Sequence, residues 1–191
     1  MSGPLYAAVS GRAGAWRGPE AYTHGIMTST GDTMEICDTY DASGNRTGRT
    51  VIRGAELPDG EYYLAVHVWI RNEQGDYLIQ QRAPHLIYPG VWASTAGMVQ
   101  AGEDSMTGAI REIAEELGIQ TTPAQFKPLM RLCTDNRVED VWLVDLPNTT
   151  TATVTLGPEV TDWRWAAKST LRQMIQSGSF YAYSYFDQLP D

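Results

Sequence analysis

The chain has 191 residues, of which 42% are hydrophobic and 19% charged, which suits one well-packed domain and is too short to suggest two large ones. Acidic residues outnumber basic ones 23 to 14, for a formal net charge of -9. The basic residues are scattered, which argues against a nucleic-acid partner, and an anionic substrate would need a cation to offset repulsion. The two cysteines, Cys37 and Cys133, are too few for a disulfide framework and lack zinc-site spacing, so a reducing compartment fits best, with one bridge between them left open.

Residues 1–33 are rich in Gly, Ser, Thr and Ala without a strand or helix period, and read as a tail; Met27 and Met34 could each begin a chain. No apolar run reaches the roughly 18 residues of a membrane span, and the apolar stretch at 4–9 is too short for a secretory signal. A cytoplasmic protein with no membrane partner is therefore the default expectation.

From residue 34 onward one domain is expected, to residue 191. Two short strands, 34–39 and 47–52, flank the turn-forming cluster DASGN and predict an N-terminal β-hairpin. Its edge could pair with a second copy, so a homodimer is left open. YYLAVHVWI at 62–70 and YLIQQ at 77–81 are rich in β-branched and aromatic residues, and NEQGD between them supplies a turn. Further strands are expected at 126–133, 138–144 and 160–165, and a C-terminal helix at 169–176. Strands flanked by two helices predict an α+β fold, with a mixed sheet between helices in an αβα sandwich.

The chemistry concentrates at 97–119. Gly97 is followed by Gly102-Glu103, then by Arg111-Glu112-Ile113-Ala114-Glu115-Glu116-Leu117-Gly118-Ile119. On a helical wheel Met106, Ile110, Ile113 and Leu117 form one apolar stripe that packs on the sheet. Glu112, Glu115 and Glu116 are related by three- and four-residue steps and fall on the far side. Carboxylates so close repel unless cations sit among them, and Mg²⁺, or Mn²⁺ in its place, prefers such oxygen ligands. Arg111 is in reach of Glu115 and Glu103 and could lock a carboxylate's orientation. Asp104 or Ser105 suits the helix start and Gly118 its end, while Gly97 and Gly102 let the loop bend. Gly108, inside the helix, suggests close approach of a neighbouring backbone.

This segment fills every position of the Nudix box, GX5EX7REUXEEXGU, a pattern expected by chance in about one window in 10⁹. Together with MEICDTYDASGNRTGRT, LIQQRAPH, YPGVW and EVTDWRW, it makes residues 34–191 resemble a bacterial branch of Nudix proteins related to isopentenyl-diphosphate isomerase. The isomerases carry a cysteine just before the box, where this chain reads Ser94-Thr95-Ala96-Gly97. Met98-Val99 likewise replaces their His-Pro, so the resemblance points to hydrolysis of a small-molecule diphosphate rather than isomerisation.

The resemblance implies metal held by Glu112, Glu115 and Glu116 with a backbone carbonyl near Ala96, and a metal-activated water attacking phosphorus. Glu112 is the first candidate for the base. In other Nudix enzymes the base comes from outside the box, which keeps Glu159, and after it Glu139 and Asp140, in view. Arg82 matches the family's pocket arginine, suited to a phosphate, and Trp92, with His85 and Tyr88, could stack on a base or cover the pocket. Isomerase chemistry, through Cys133 if it lay beside the metal, and a non-catalytic nucleotide-binding module are the competing readings.

Overall fold

The structure is a computed structural model that describes residues 35–134, 136–147 and 154–191. The expected tail at 1–33, and Met34, lie outside the described residues. Strands β1 (Ile36–Tyr40) and β2 (Arg46–Ile52) form the N-terminal hairpin, closed by Asp41, whose side chain accepts hydrogen bonds from the backbone of Ser43 and Asn45.

The main sheet contains β3 (Tyr63–Arg71), β4 (Tyr77–Arg82), β5 (Trp92–Ala93), β6 (Thr95–Met98), β7 (Phe126–Cys133), β8 (Arg137–Asp145) and β9 (Val160–Ala166). Its path runs β5-β4-β3-β8-β7, with β6 also paired to β3 and β9 to β4. The β3–β8 pair is parallel and the others antiparallel, so the sheet is mixed. Helix α1 (Ser105–Leu117) covers one face and α2 (Lys168–Gln176) packs into the core of the other, the αβα arrangement expected.

Alternation along β3 explains both layers. Leu64, Val66, Val68 and Ile70 face α1 with Ala109, Ile113 and Leu117, while Trp69 faces α2, Leu171, Met174 and the C-terminal aromatics Phe180, Tyr183, Tyr185 and Phe186. Strands β5 and β6 were not expected, nor was the packing of those aromatics after α2. Cys37 is buried in the hairpin and Cys133 exposed, and both are free thiols rather than a bridge. Among the described residues no helix is long and apolar enough to cross a membrane.

Candidate active site

Helix α1 starts at Asp104, whose carboxylate accepts from the Thr107 amide at 2.7 Å, and ends at Gly118, which adopts φ 67°. That left-handed terminus is open to glycine without the penalty a Cβ carries. Gly102, at φ 87°, makes the bend before the helix and donates its N–H to Asp38 of the hairpin.

Gly97 has a different task from the bend expected of it. It sits in β6 opposite Val66, and a Cβ there would run into the Glu112 carboxylate. The missing side chain therefore makes room for a charged group between helix and sheet. Gly108 also corrects its expectation: the nearest atoms that a Cβ would meet belong to side chains, Val99 at 3.1 Å and Glu103 at 3.4 Å, rather than to a neighbouring backbone.

Arg111 organises the cluster. Its Nε and Nη2 donate to the two oxygens of Glu103 at 2.9 and 3.1 Å, Nη1 donates to Glu112 at 2.8 Å and Glu115 at 2.9 Å, and Nη2 also donates to the Met98 carbonyl. Glu103 in turn accepts from the Gln100 amide. One guanidinium thus ties the loop, β6 and two helix carboxylates into a fixed unit.

The three helix glutamates do not all lie on the outer side, as the wheel suggested. Only Glu115, with 57% of its side chain exposed, faces solvent, whereas Glu112 keeps 13% exposed and Glu116 is buried. Small residues in β6, Ala96 and Gly97, leave the gap that admits them.

Burial pushes the Glu112 pKa up to about 7 against the lowering effect of Arg111. Glu116 is raised well above the usual carboxylate range, by burial first and by the Glu112 charge second, with a Gln80 hydrogen bond opposing both. Its Oε2 is buried with no hydrogen-bond partner among the described residues, an arrangement that costs free energy unless a cation or proton arrives.

These groups line a cleft of about 260 Å³ with Glu35, Arg53, Ala96, Gly97, Pro158 and Glu159. Glu159 is placed by a loop laid on the end of α1, where Thr155 and Gly157 donate to the Leu117 and Glu116 carbonyls at 2.9 and 3.0 Å. Gly157 permits this, because a Cβ would strike the Glu115 carbonyl. Glu35 and Arg53, from the open end of the hairpin, were not foreseen.

Other candidates fall elsewhere. Arg82 is not among the residues lining the cleft; its Nε donates to the Ile87 carbonyl at 2.8 Å, although its charge still acts on Glu116. Trp92 packs on the α2 side beneath the Arg164 guanidinium. His85 is exposed, and Tyr88, at φ 59°, meets Tyr181 edge-on. Asp140 is paired with Arg131 at 2.6 Å, and Glu139 is buried with Arg137 3.9 Å away. Cys133 does not line the cleft.

The donor set fits a divalent cation: two inward carboxylates, one of them with an orphaned oxygen, and a third at the rim. Among the described residues no three acidic or imidazole groups already converge into a closed cage. Arg111 holds two of the carboxylates, and Mg²⁺ commonly takes only one or two protein oxygens and fills its shell with water and substrate phosphate.

Known proteins resemble this chain in sequence and in fold. An uncharacterised Nudix hydrolase of Listeria monocytogenes is 34% identical over 158 residues, 82% of this chain and 94% of that protein. The isopentenyl-diphosphate Delta-isomerase of Shigella flexneri is 34% identical over 132 residues, 65% of this chain and 72% of its own length. A crystal structure from Deinococcus radiodurans shares the fold, with a TM-score of 0.65 at 22% identity over 80% of this chain and 96% of that one. The family profile for the NUDIX domain matches residues 61–186, spanning the arginine-tied box, the cleft loop and both faces of the sheet, and the chain belongs to the Nudix hydrolases.

Proposed function

We propose that this protein is a divalent-metal-dependent hydrolase. It cleaves a phosphoanhydride bond in a nucleoside diphosphate linked to another group, or in a similar organic diphosphate, by attack of water on phosphorus. The observation that carries the reading is the buried Glu116 oxygen without a partner, beside Glu112 and at the base of an open cleft. A carboxylate oxygen kept dry and unpaired is relieved by a proton or by a hard cation, and the neighbouring Glu112 and Glu115 carboxylates favour the cation.

Glu112, Glu115 and Glu116 would hold Mg²⁺ or Mn²⁺, with the backbone at Ala96 beside them. When bound, the ion would polarise the phosphoryl oxygens and lower the pKa of the attacking water. Arg111 fixes the direction of Glu112 and Glu115 through the bonds already described. Glu112, held in direction by Arg111 beside the ion, is the first candidate to accept the proton of the attacking water. Glu159, exposed in the cleft lining and carried by a loop, is the second candidate base. Arg82 would contribute by its charge toward the cleft.

The isomerase reading loses its thiol. Ala96 stands where the isomerases place cysteine, Cys37 is closed in the hairpin, and Cys133 lies outside the cleft. The test is a panel of nucleotide sugars, dinucleotides, oxidised nucleotides and isopentenyl diphosphate, with Mg²⁺ or EDTA. Mg²⁺-dependent release of phosphate-containing products from at least one nucleoside diphosphate derivative is expected. Isomerised prenyl diphosphate without hydrolysis, or turnover unaffected by EDTA, would contradict the proposal.

A further inference from the structure

The cleft is lined by Glu35, Glu112, Glu115, Glu116 and Glu159, and among the described residues Arg53 is the one basic side chain in that lining. A diphosphate entering there meets carboxylates on every side, and even with a metal on the helix glutamates its outer oxygens face negative charge. We propose that Arg53 is the residue that grips the outer phosphate of the substrate, with Glu35 as its partner until substrate arrives. The inference rests on the diphosphate-hydrolase reading and adds to it a binding residue from outside the box.

Three observations carry it. The guanidinium is accessible, with 52% of its side chain exposed, and its ion pair is to Glu35 at 2.5 Å, itself one-third exposed. Exposed pairs of this kind are worth little, so exchange of Glu35 for a phosphate costs little, and the planar fork matches two phosphate oxygens. The second observation is rigidity. Arg53 donates its backbone N–H to the Glu35 carbonyl at 2.8 Å, next to the paired residues Ile36 and Ile52. This fixes both residues at the hairpin's open end.

The third is that the hairpin is bonded to the box itself. Ala101 donates to the Ile36 carbonyl at 2.7 Å and Gly102 to Asp38 at 2.9 Å, while Arg46 donates to the Glu103 carbonyl. Further along, Tyr40 and Tyr62 exchange backbone hydrogen bonds at 2.8 Å. The loop that Arg111 locks to the helix glutamates is therefore the same loop that positions Arg53 across from them. Such preorganisation is what lets a charged contact contribute to binding without an ordering cost at the moment of association.

Calorimetric titration of inorganic diphosphate with Mg²⁺ present, alongside steady-state kinetics on the best substrate of the panel, tests this in Arg53→Ala, Arg53→Lys and Glu35→Gln. Arg53→Ala should weaken diphosphate binding and raise KM by on the order of tenfold or more, with kcat changing far less. Arg53→Lys keeps the charge without the fork and should fall between. Glu35→Gln frees the guanidinium and should bind diphosphate as well as or better than wild type. Equal losses in Arg53→Ala and Glu35→Gln would make the pair merely structural and overturn the proposal, as would an unchanged Arg53→Ala. Wild-type protein that neither binds diphosphate nor turns over any substrate overturns the hydrolase reading as well, which separates the two failures.

Discussion

Substituting Glu112 by Gln separates what this side chain costs the fold from what it gives the site. Its pKa is pushed up to about 7 from an ordinary value of 4.5, a difference worth about 3 kcal/mol at 1.4 kcal/mol per tenfold. Because the folded-state value is the higher one, the folded protein keeps a proton that the unfolded chain has released. Stability therefore falls as pH rises from 4.5 to about 7, and the full penalty is present above that window. Gln keeps the shape and can still accept from Arg111, but carries no charge. Metal-free Glu112→Gln should thus match wild type near pH 4 and exceed it at pH 8, with about 3 kcal/mol as the ceiling of the gain. Turnover with Mg²⁺ should meanwhile drop on the order of 10²-fold or more. Urea unfolding in EDTA at several pH values, paired with kinetics, reads both effects. A variant equally destabilised at every pH would show that the buried Glu112 charge costs the fold nothing, and one that remains fully active would show that the site does not use it.

Two other substitutions probe the surroundings of the carboxylates. In Gly97→Ala the new methyl meets the Glu112 carboxylate, which must turn out of Arg111's grip. Activity should fall tenfold or more while stability changes by no more than about 2 kcal/mol, because the yielding group is a side-chain end rather than backbone. Kinetics and thermal melting together check this, and wild-type turnover would show that Glu112 has no fixed direction to lose. Arg82→Ala should raise KM more than it lowers kcat, since its charge reaches the cleft from the 82–92 segment. A loss confined to kcat would remove Arg82 from substrate binding.

Much of this arrangement is legible before any coordinates, and the illegible parts share a cause. Helix α1 announces itself by the 3.6-residue spacing of Ile110, Ile113 and Leu117 and by its caps at Asp104 and Gly118, all local signals. The hairpin and β3 are legible for the same reason, through turn residues and β-branched runs. Strands β5 and β6 are hidden because WASTAGM contains little that favours a strand, and β6 owes its conformation to pairing with β3. The wheel grouped three glutamates but could not tell inward from outward, since the gap that admits Glu112 is made by Gly97 in another element. Arg53 carries no motif, and Glu35 lies in the MEICDTYDASGNRTGRT stretch with nothing there to mark its role. Their place in the cleft depends on bonds from Ala101 and Gly102 to the hairpin, contacts that no local pattern encodes. Gly157 could have been suspected from its setting in Gly157-Pro158-Glu159, but only the nearby Glu115 carbonyl explains it.

On the proposed reading, the inward glutamates of the box hold the metal that the reaction needs. Titration of metal-free protein with Mn²⁺, following free Mn²⁺ by electron paramagnetic resonance, tests it most directly when wild type is compared with Glu116→Gln. Wild type should bind Mn²⁺ stoichiometrically. The variant keeps the shape of the buried side chain but loses its charge, and should bind at least about tenfold more weakly and lose turnover on the order of 10²-fold. Mn²⁺ binding and activity that are the same in both proteins would contradict the assignment of this site.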